Sequence, residues 1–265
     1  MIKIAISSDN HLDINSQDLD KVIQVQNDFF LEKQIDYYFF AGDLSNDFLK
    51  TLNFFEKMQS QTKTKVFFLA GNHDMGRSIS YDELETDISP LYFHNKMIEI
   101  GNYQIFGNNG WYDYSFVLSD YSIEEIEQFK KALWFDRIIK QNGISDEQRL
   151  KRNAEQFQNS IISNADINKK KILITHFLPN SYQIKRFKEK KKWDLVNAFM
   201  GSNSLGDLAI ANDFQFVFYG HMHINDSFTI QKTIFENISV GQKQELGNLD
   251  FLTSWKSKLK LIDIF

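Results

Sequence analysis

A chain of 265 residues without a cysteine has no disulfide, no thiolate metal ligand and no cysteine nucleophile. Its 42% apolar content, with 25 phenylalanines, is that of a packed globular protein and not of a disordered one. The formal net charge of −5 gives no bulk attraction for polyanions, so any cationic site must be local.

A strand pattern begins at once, over Ile2 to Ser7, and ends at Ser8-Asp9-Asn10-His11. No charged leader precedes a long apolar region, and no run of about eighteen apolar residues occurs, so a soluble, cytoplasmic protein without a membrane span is expected. From Asp18 to Lys33, Leu19, Val22, Ile23, Val25, Phe29 and Phe30 recur at roughly helical spacing. Asp36 to Ala41 reads as a second strand, ending at Gly42-Asp43. Phe48 to Met58 reads as a second helix, and Lys65 to Ala70 as a third strand, ending at Gly71-Asn72-His73-Asp74. The βαβαβ order calls for a parallel sheet. Met97 to Ile100 and Tyr103 to Phe106 flank Gly101-Asn102 as a hairpin.

Residues 121 to about 165 are highly charged and helical in pattern. Gly143 divides them, and Ser145 is placed to cap the second helix. Lys171 to Thr175 is an apolar strand ending at His176. The basic stretch 181–193 reads as a loop or lid. Phe214 to Tyr219 is a strand ending at Gly220-His221-Met222-His223, and from Ser227 onward short strands with turns at Gly241 and Gly247 are expected. No internal repeat or low-complexity linker occurs, and there are two prolines. Residues 1–265 therefore read as a single domain with a helical or lid insertion around 121–200.

Five strand-like runs thus end in metal-ligand residue types: Asp9 with His11, Asp43, Asn72 with His73, His176, and His221 with His223. Five of the six histidines fall at these places. Ligands bind at the carboxyl ends of strands in open α/β sheets. Imidazole and oxygen donors without thiolate suit Mn²⁺, Fe or Zn²⁺. The i, i+2 spacing of Asp9/His11 and His221/His223 puts both side chains on one face of an extended segment. A lone carboxylate such as Asp43 can bridge two ions, and such a pair clamps a phosphate.

The ordered set Asp9-x-His11, Gly42-Asp43, Gly71-Asn72-His73-Asp74, His176, Gly220-His221-x-His223 resembles the calcineurin-like metallophosphoesterase superfamily. The blocks span residues 9 to 223, most of the chain. The resemblance implies an α/β four-layer sandwich, two mixed β-sheets packed face to face and flanked by helices, with a dinuclear metal site at the C-terminal strand ends. It implies that Asp9, His11 and His223 hold one metal, that Asn72, His176 and His221 hold the other, and that Asp43 bridges them. It also implies attack of a metal-bound hydroxide on phosphorus. His73 would then be the general acid, and Asp74 the carboxylate holding the His73 ring in its tautomer. Two divalent transition metal ions are implied, manganese first, with iron or zinc as alternatives.

Three departures narrow the reading. The family's frequent Gly-Asp-x-x-Asp is here Gly42-Asp43-Leu44-Ser45-Asn46-Asp47, with the acid one place late. The arginine and glutamate of the phosphoprotein-phosphatase branch are absent. Thr175-His176-Phe177-Leu178-Pro179 resembles the His-x-x-Pro turn of the phosphodiesterase branches, but Phe177 stands where a second histidine often follows. Hydrolysis of a small phosphate ester is expected, a phosphodiester before a phosphomonoester on a nucleotide or small metabolite. Nucleic acid would enter only as a short single strand. The reading from another class is a scaffold with an inactive site.

Outside the blocks, His94 reads as a surface or core residue. Gly110-Trp111-Tyr112-Asp113-Tyr114 reads either as a stacking rim for a substrate ring or as a loop packed onto the core. The basic run Lys185, Arg186, Lys188, Lys190, Lys191, Lys192 reads as a solvated face before an anion funnel. Trp193 to Gly201 is placed to cap a pocket.

Overall fold

The computed structural model describes residues 1–118, 120–185 and 191–264. Of the basic run, residues 186–190 lie outside the described residues. Strands β1 (Ile2–Ser7), β2 (Tyr37–Phe40) and β3 (Lys65–Phe68) run parallel, connected by α1 (Leu19–Lys33) and α2 (Phe48–Gln61). A short helix, α3 (Tyr81–Leu84), leads to the hairpin β4 (Lys96–Ile100) and β5 (Tyr103–Gly107). Helices α4 (Ile123–Leu133) and α5 (Asp146–Asn164) precede β6 (Lys170–Ile174). Helices α6 (Lys191–Asp194) and α7 (Ser204–Ala211) precede β7 (Phe214–Tyr219). The chain then forms β8 (Ser227–Ile230), β9 (Thr233–Asn237), α8 (Phe251–Lys258) and β10 (Lys260–Ile264).

Both sheets are mixed. One has the order β10-β1-β2-β3, with β10 antiparallel to β1. The other has the order β4-β5-β6-β7-β9-β8, with β5, β6, β7 and β9 parallel and antiparallel edges at β4 and β8. The two-residue period of the strands divides the core. Ile4 and Ile6, Phe39, Ile105, Ile172 and Ile174, and Phe218 share one buried cluster drawn from both sheets, the layer between them. Their neighbours Ala5, Tyr38, Phe40, Phe106, Leu173, Val217 and Tyr219 face the other way, into a cluster with Val22, Phe30, Phe55, Phe157 and Ala209 of the helices. This is the α/β fold of two face-to-face sheets flanked by helices.

Local signals set the helix starts. Asp18 caps α1 by accepting from the Lys21 amide, and Asp47 caps α2 by accepting from the Lys50 amide. Ser122/Glu125 and Ser145/Gln148 form capping boxes at α4 and α5. The C-terminal region corrects the expectation of strands alone, because residues 251–258 are helical. Asp250 accepts from the Thr253 amide, and Phe251 and Trp255, four residues apart, lie together in the core. No helix among the described residues is long and apolar enough to cross a membrane.

Candidate metal centre

Each parallel strand that carries a motif delivers it beyond its carboxyl end: Asp9 and His11 after β1, Asp43 after β2, Asn72 and His73 after β3, His176 after β6, and His221 and His223 after β7. Asp9, His11, Asp43, His221 and His223 have φ of 57°, 41°, 65°, 68° and 53°. These left-handed conformations are uncommon for residues with side chains and cluster where function imposes them. Two glycines make room. Gly42 sits at φ 94°, where an added Cβ would stand 2.5 Å from the Gly71 nitrogen. A Cβ on Gly71 would stand 2.1 Å from Asp43 Oδ1 and 2.6 Å from His176 Cε1. Gly71→Ala is accordingly expected to displace the Asp43 carboxylate and cost about 1–3 kcal/mol, read by denaturant unfolding of the stripped protein; an unchanged midpoint would mean that the loop gives way.

The donors converge in two groups. In the first, His223 Nε2 lies 3.1 Å from Asp9 Oδ1 and 3.1 Å from His11 Nε2. In the second, His176 Nε2 lies 3.3 Å from Asn72 Oδ1, and His221 joins His176 and Asp43 in one cluster of inward-facing atoms. Asp43 stands between the groups. Its Oδ2 is 3.7 Å from His11 Nε2 and 3.4 Å from His176 Nε2, while its Oδ1 accepts from the His73 amide at 2.8 Å. Asp9 Oδ2 accepts from Ser239 Oγ at 2.8 Å, which fixes that carboxylate from behind.

This donor set fits metal ions. Three imidazoles give one ring nitrogen to an acceptor outside the centre: His176 Nδ1 to the Ala41 carbonyl (2.8 Å), His221 Nε2 to the Phe199 carbonyl (3.1 Å), His223 Nδ1 to Glu245 Oε2 (2.7 Å). A carbonyl or carboxylate oxygen accepts only, so those nitrogens carry the protons. In the neutral rings the remaining lone pairs belong to Nε2 of His176 and His223 and to Nδ1 of His221. The charges agree. Burial pulls His176 and His223 down, but Asp43 beside the one and Asp9 beside the other outweigh it and hold them at about 9 and about 10. Burial takes His11 and His221 down to about 3. Two buried carboxylates thus draw two positive charges into the centre. Divalent cations meet the same demand and release those protons on binding.

His73 lies beside this set, its ring edge-on to His11 with centroids 4.7 Å apart. Here the structure corrects one expectation. Asp74 does not hold the His73 ring. Its carboxylate accepts from the amides of Asp43 (2.6 Å), Leu44 (3.1 Å), Ser45 (3.2 Å) and Gly71 (2.9 Å) and from Thr51 Oγ1 (2.6 Å), so it pins the β2 and β3 loops together. Burial, then the charge of Asp43, push the Asp74 carboxyl up to about 7, against those five donors. The partner of His73 is Asn46, whose Oδ1 is 2.6 Å from Nδ1. Asn46 occupies the position where the family pattern has its second acid. Asp47, the acid one place later, is the cap of α2.

Four contributors were not found from sequence. They are Asn46, Glu245 behind His223, Asp136 behind Asn72, and Phe135, which stacks on His73 at 4.1 Å. The aromatic loop resolves toward packing. Trp111 and Tyr112 are fully buried, and Trp111 donates to Asp146 and lies over the Arg149 guanidinium at 3.6 Å. His94 is a core residue that accepts from the Asn109 amide.

A family model described as calcineurin-like phosphoesterase matches residues 2–225. Among solved structures, the phosphopantetheinyl hydrolase from Mycobacterium tuberculosis is similar at TM-score 0.72 and 16% identity, over 98% of this chain and 95% of that one. A dimetal phosphatase from Danio rerio is similar at TM-score 0.49 and 13% identity, over 90% of this chain and 87% of that one. No curated protein matches the sequence.

Proposed function

The chain belongs to the calcineurin-like phosphoesterase family and is a metal-dependent phosphoester hydrolase; from that premise we propose that it cleaves a phosphodiester at a dinuclear site. Asp9, His11 and His223 would hold one ion, Asn72, His176 and His221 the other, and Asp43 both. The observation that carries this reading is Asp43 Oδ2 standing between His11 Nε2 and His176 Nε2, at 3.7 and 3.4 Å. In our reading residues 1–265 are one domain and the ions are manganese first; the helical or lid insertion expected around 121–200 is not one continuous insert, because β6 (Lys170–Ile174) within it is an inner strand of the larger sheet.

When bound, the ions polarise the phosphoryl group and acidify a water. The chain's own residues do the rest. His73 is the general acid. Its Nδ1–H donates to Asn46 Oδ1, which leaves Nε2 as the nitrogen toward the leaving oxygen; the acid is the imidazolium, which gives up its Nε2 proton and keeps the one on Nδ1. Phe135 covers one face of that ring and excludes water from it. A proton donor matters most where the leaving group is a poor alkoxide, which favours a diester.

The test is removal of metal with chelator, restoration with Mn²⁺, and comparison of a chromogenic phosphodiester with the matching monoester. A phosphopantetheinyl ester belongs in the same panel, because a hydrolase of similar fold takes that group. Diester hydrolysis that returns only with metal is the expected result. Monoester preference would overturn the diester reading, and a chain that binds no metal would overturn the dinuclear one.

A further inference from the structure

The segment between α4 and α5 reaches the centre through three consecutive residues, none of which belongs to a family motif. Trp134 stacks on Phe199 at 5.2 Å and 21°, and the Phe199 carbonyl is the acceptor for His221. Phe135 stacks on His73. Asp136 is 1% exposed, and each of its oxygens is used. Oδ1 accepts from Asn72 Nδ2 at 2.7 Å, and Oδ2 accepts from Trp134 Nε1 at 3.0 Å. Docking is close: a Cβ on Gly76, three residues beyond His73, would stand 2.8 Å from Phe135 Cζ.

A buried carboxylate carries a desolvation cost, so its place needs a reason. Burial does raise the Asp136 carboxyl above its usual range, although Lys130, Asn72 and others oppose it. Lys130 itself pairs with Asp146 at 2.6 Å. The reason lies in the symmetry of an amide. The oxygen and nitrogen of Asn72 are nearly the same size, so shape does not decide which faces His176 and which faces outward. A carboxylate accepts and does not donate, so it selects the rotamer with Nδ2 toward itself and Oδ1 toward the centre. Oδ1 is the atom found there, 3.3 Å from His176 Nε2.

We propose that Asp136 is a positioning residue that locks the Asn72 amide with Oδ1 toward the second metal position, through the pair of hydrogen bonds Asn72 Nδ2 to Asp136 Oδ1 and Trp134 Nε1 to Asp136 Oδ2. This rests on the reading of Asn72 as a metal ligand. A helical segment outside the family's five blocks thereby controls one half of the centre and leaves the half built from Asp9, His11 and His223 alone.

The test uses Asp136→Asn, which keeps the shape but leaves one acceptor for two donors. The indole cannot turn over within its stack, so the conflict is relieved by flipping Asn72, which turns Nδ2 inward. Full-length protein is stripped and titrated with Mn²⁺ by calorimetry. Expected are two tight sites in the unmodified chain, and in Asp136→Asn one unchanged site and one weakened about 10- to 100-fold, the usual effect of losing such a support. Adding Trp134→Phe removes the second donor, so the new amide can again offer its oxygen to Asn72. The double variant is expected to recover the lost affinity, which a merely structural role would not produce. Two unchanged sites in Asp136→Asn overturn the inference alone, as does equal weakening of both sites or failure of the double variant to recover. Absence of Mn²⁺ binding by the unmodified chain overturns the metal reading and this inference with it.

Discussion

Asp43→Asn is expected to lose at least one of two bound Mn²⁺ ions and to reduce phosphodiester hydrolysis about a thousandfold or more, since the lost ion supplies several kcal/mol of transition-state stabilisation. The reason is position. Among the described residues Asp43 is the one carboxylate within 4 Å of imidazole nitrogens from both groups, His11 on one side and His176 on the other. The asparagine retains an oxygen for the His73 amide, which Asp43 Oδ1 now accepts at 2.8 Å, so the loop can keep its course while the charge is lost. Metal content by mass spectrometry and activity on one sample decide the matter. Full activity with two ions retained would show that Asp43 does not bridge. Loss of metal together with collapse of the fold would show in the melting curve, and His223→Ala, at the rim of the centre, then supplies the comparison.

The second large effect is expected from His73→Asn. Both ions should remain, because His73 Nδ1 is engaged by Asn46 and its ring is held by Phe135 beside the two donor groups. The rate should fall by about 10²- to 10⁴-fold, the usual range for a general acid. The fall should be steepest for esters whose leaving alcohol is a weak acid and slight for a nitrophenolate, which departs without a proton. A plot of log rate against leaving-group pKa therefore steepens in the variant. An equal loss across leaving groups would assign His73 an electrostatic role. Loss of an ion would make it a ligand, as its proximity to His11 and Asp43 allows.

Glu245 and Asn46 show why some of the centre was hidden. Glu245 comes 22 residues after His223 and holds its Nδ1 only because the chain turns back at Gly241. Nothing local to Glu245 distinguishes it from any surface acid. Asn46 lies inside the Gly42–Asp47 run, but there an amide stands where the family pattern has an acid, and the nearest acid is Asp47. An amide and a carboxylate both accept a hydrogen bond from an imidazole, so the structural role survives a change that breaks the pattern.

The sequence by itself determined the parallel strand–helix order, the helix cap at Ser145, and the strand-end loops that hold Asp9, His11, Asp43, Asn72, His176, His221 and His223. These follow from short-range rules: alternation of side chains, helical spacing, and the chemistry of a turn after an apolar run. Tertiary structure alone decided what stands behind those residues. Asp74 serves the backbone and not His73, Trp111 and Tyr112 serve the core and not a substrate, and Asp136, Phe135 and Glu245 reach the centre from segments without a motif. Supporting contacts of this kind demand only an acceptor or a ring at the right point in space. Many residues at many distances along a chain can satisfy that demand, so it leaves no spacing to read.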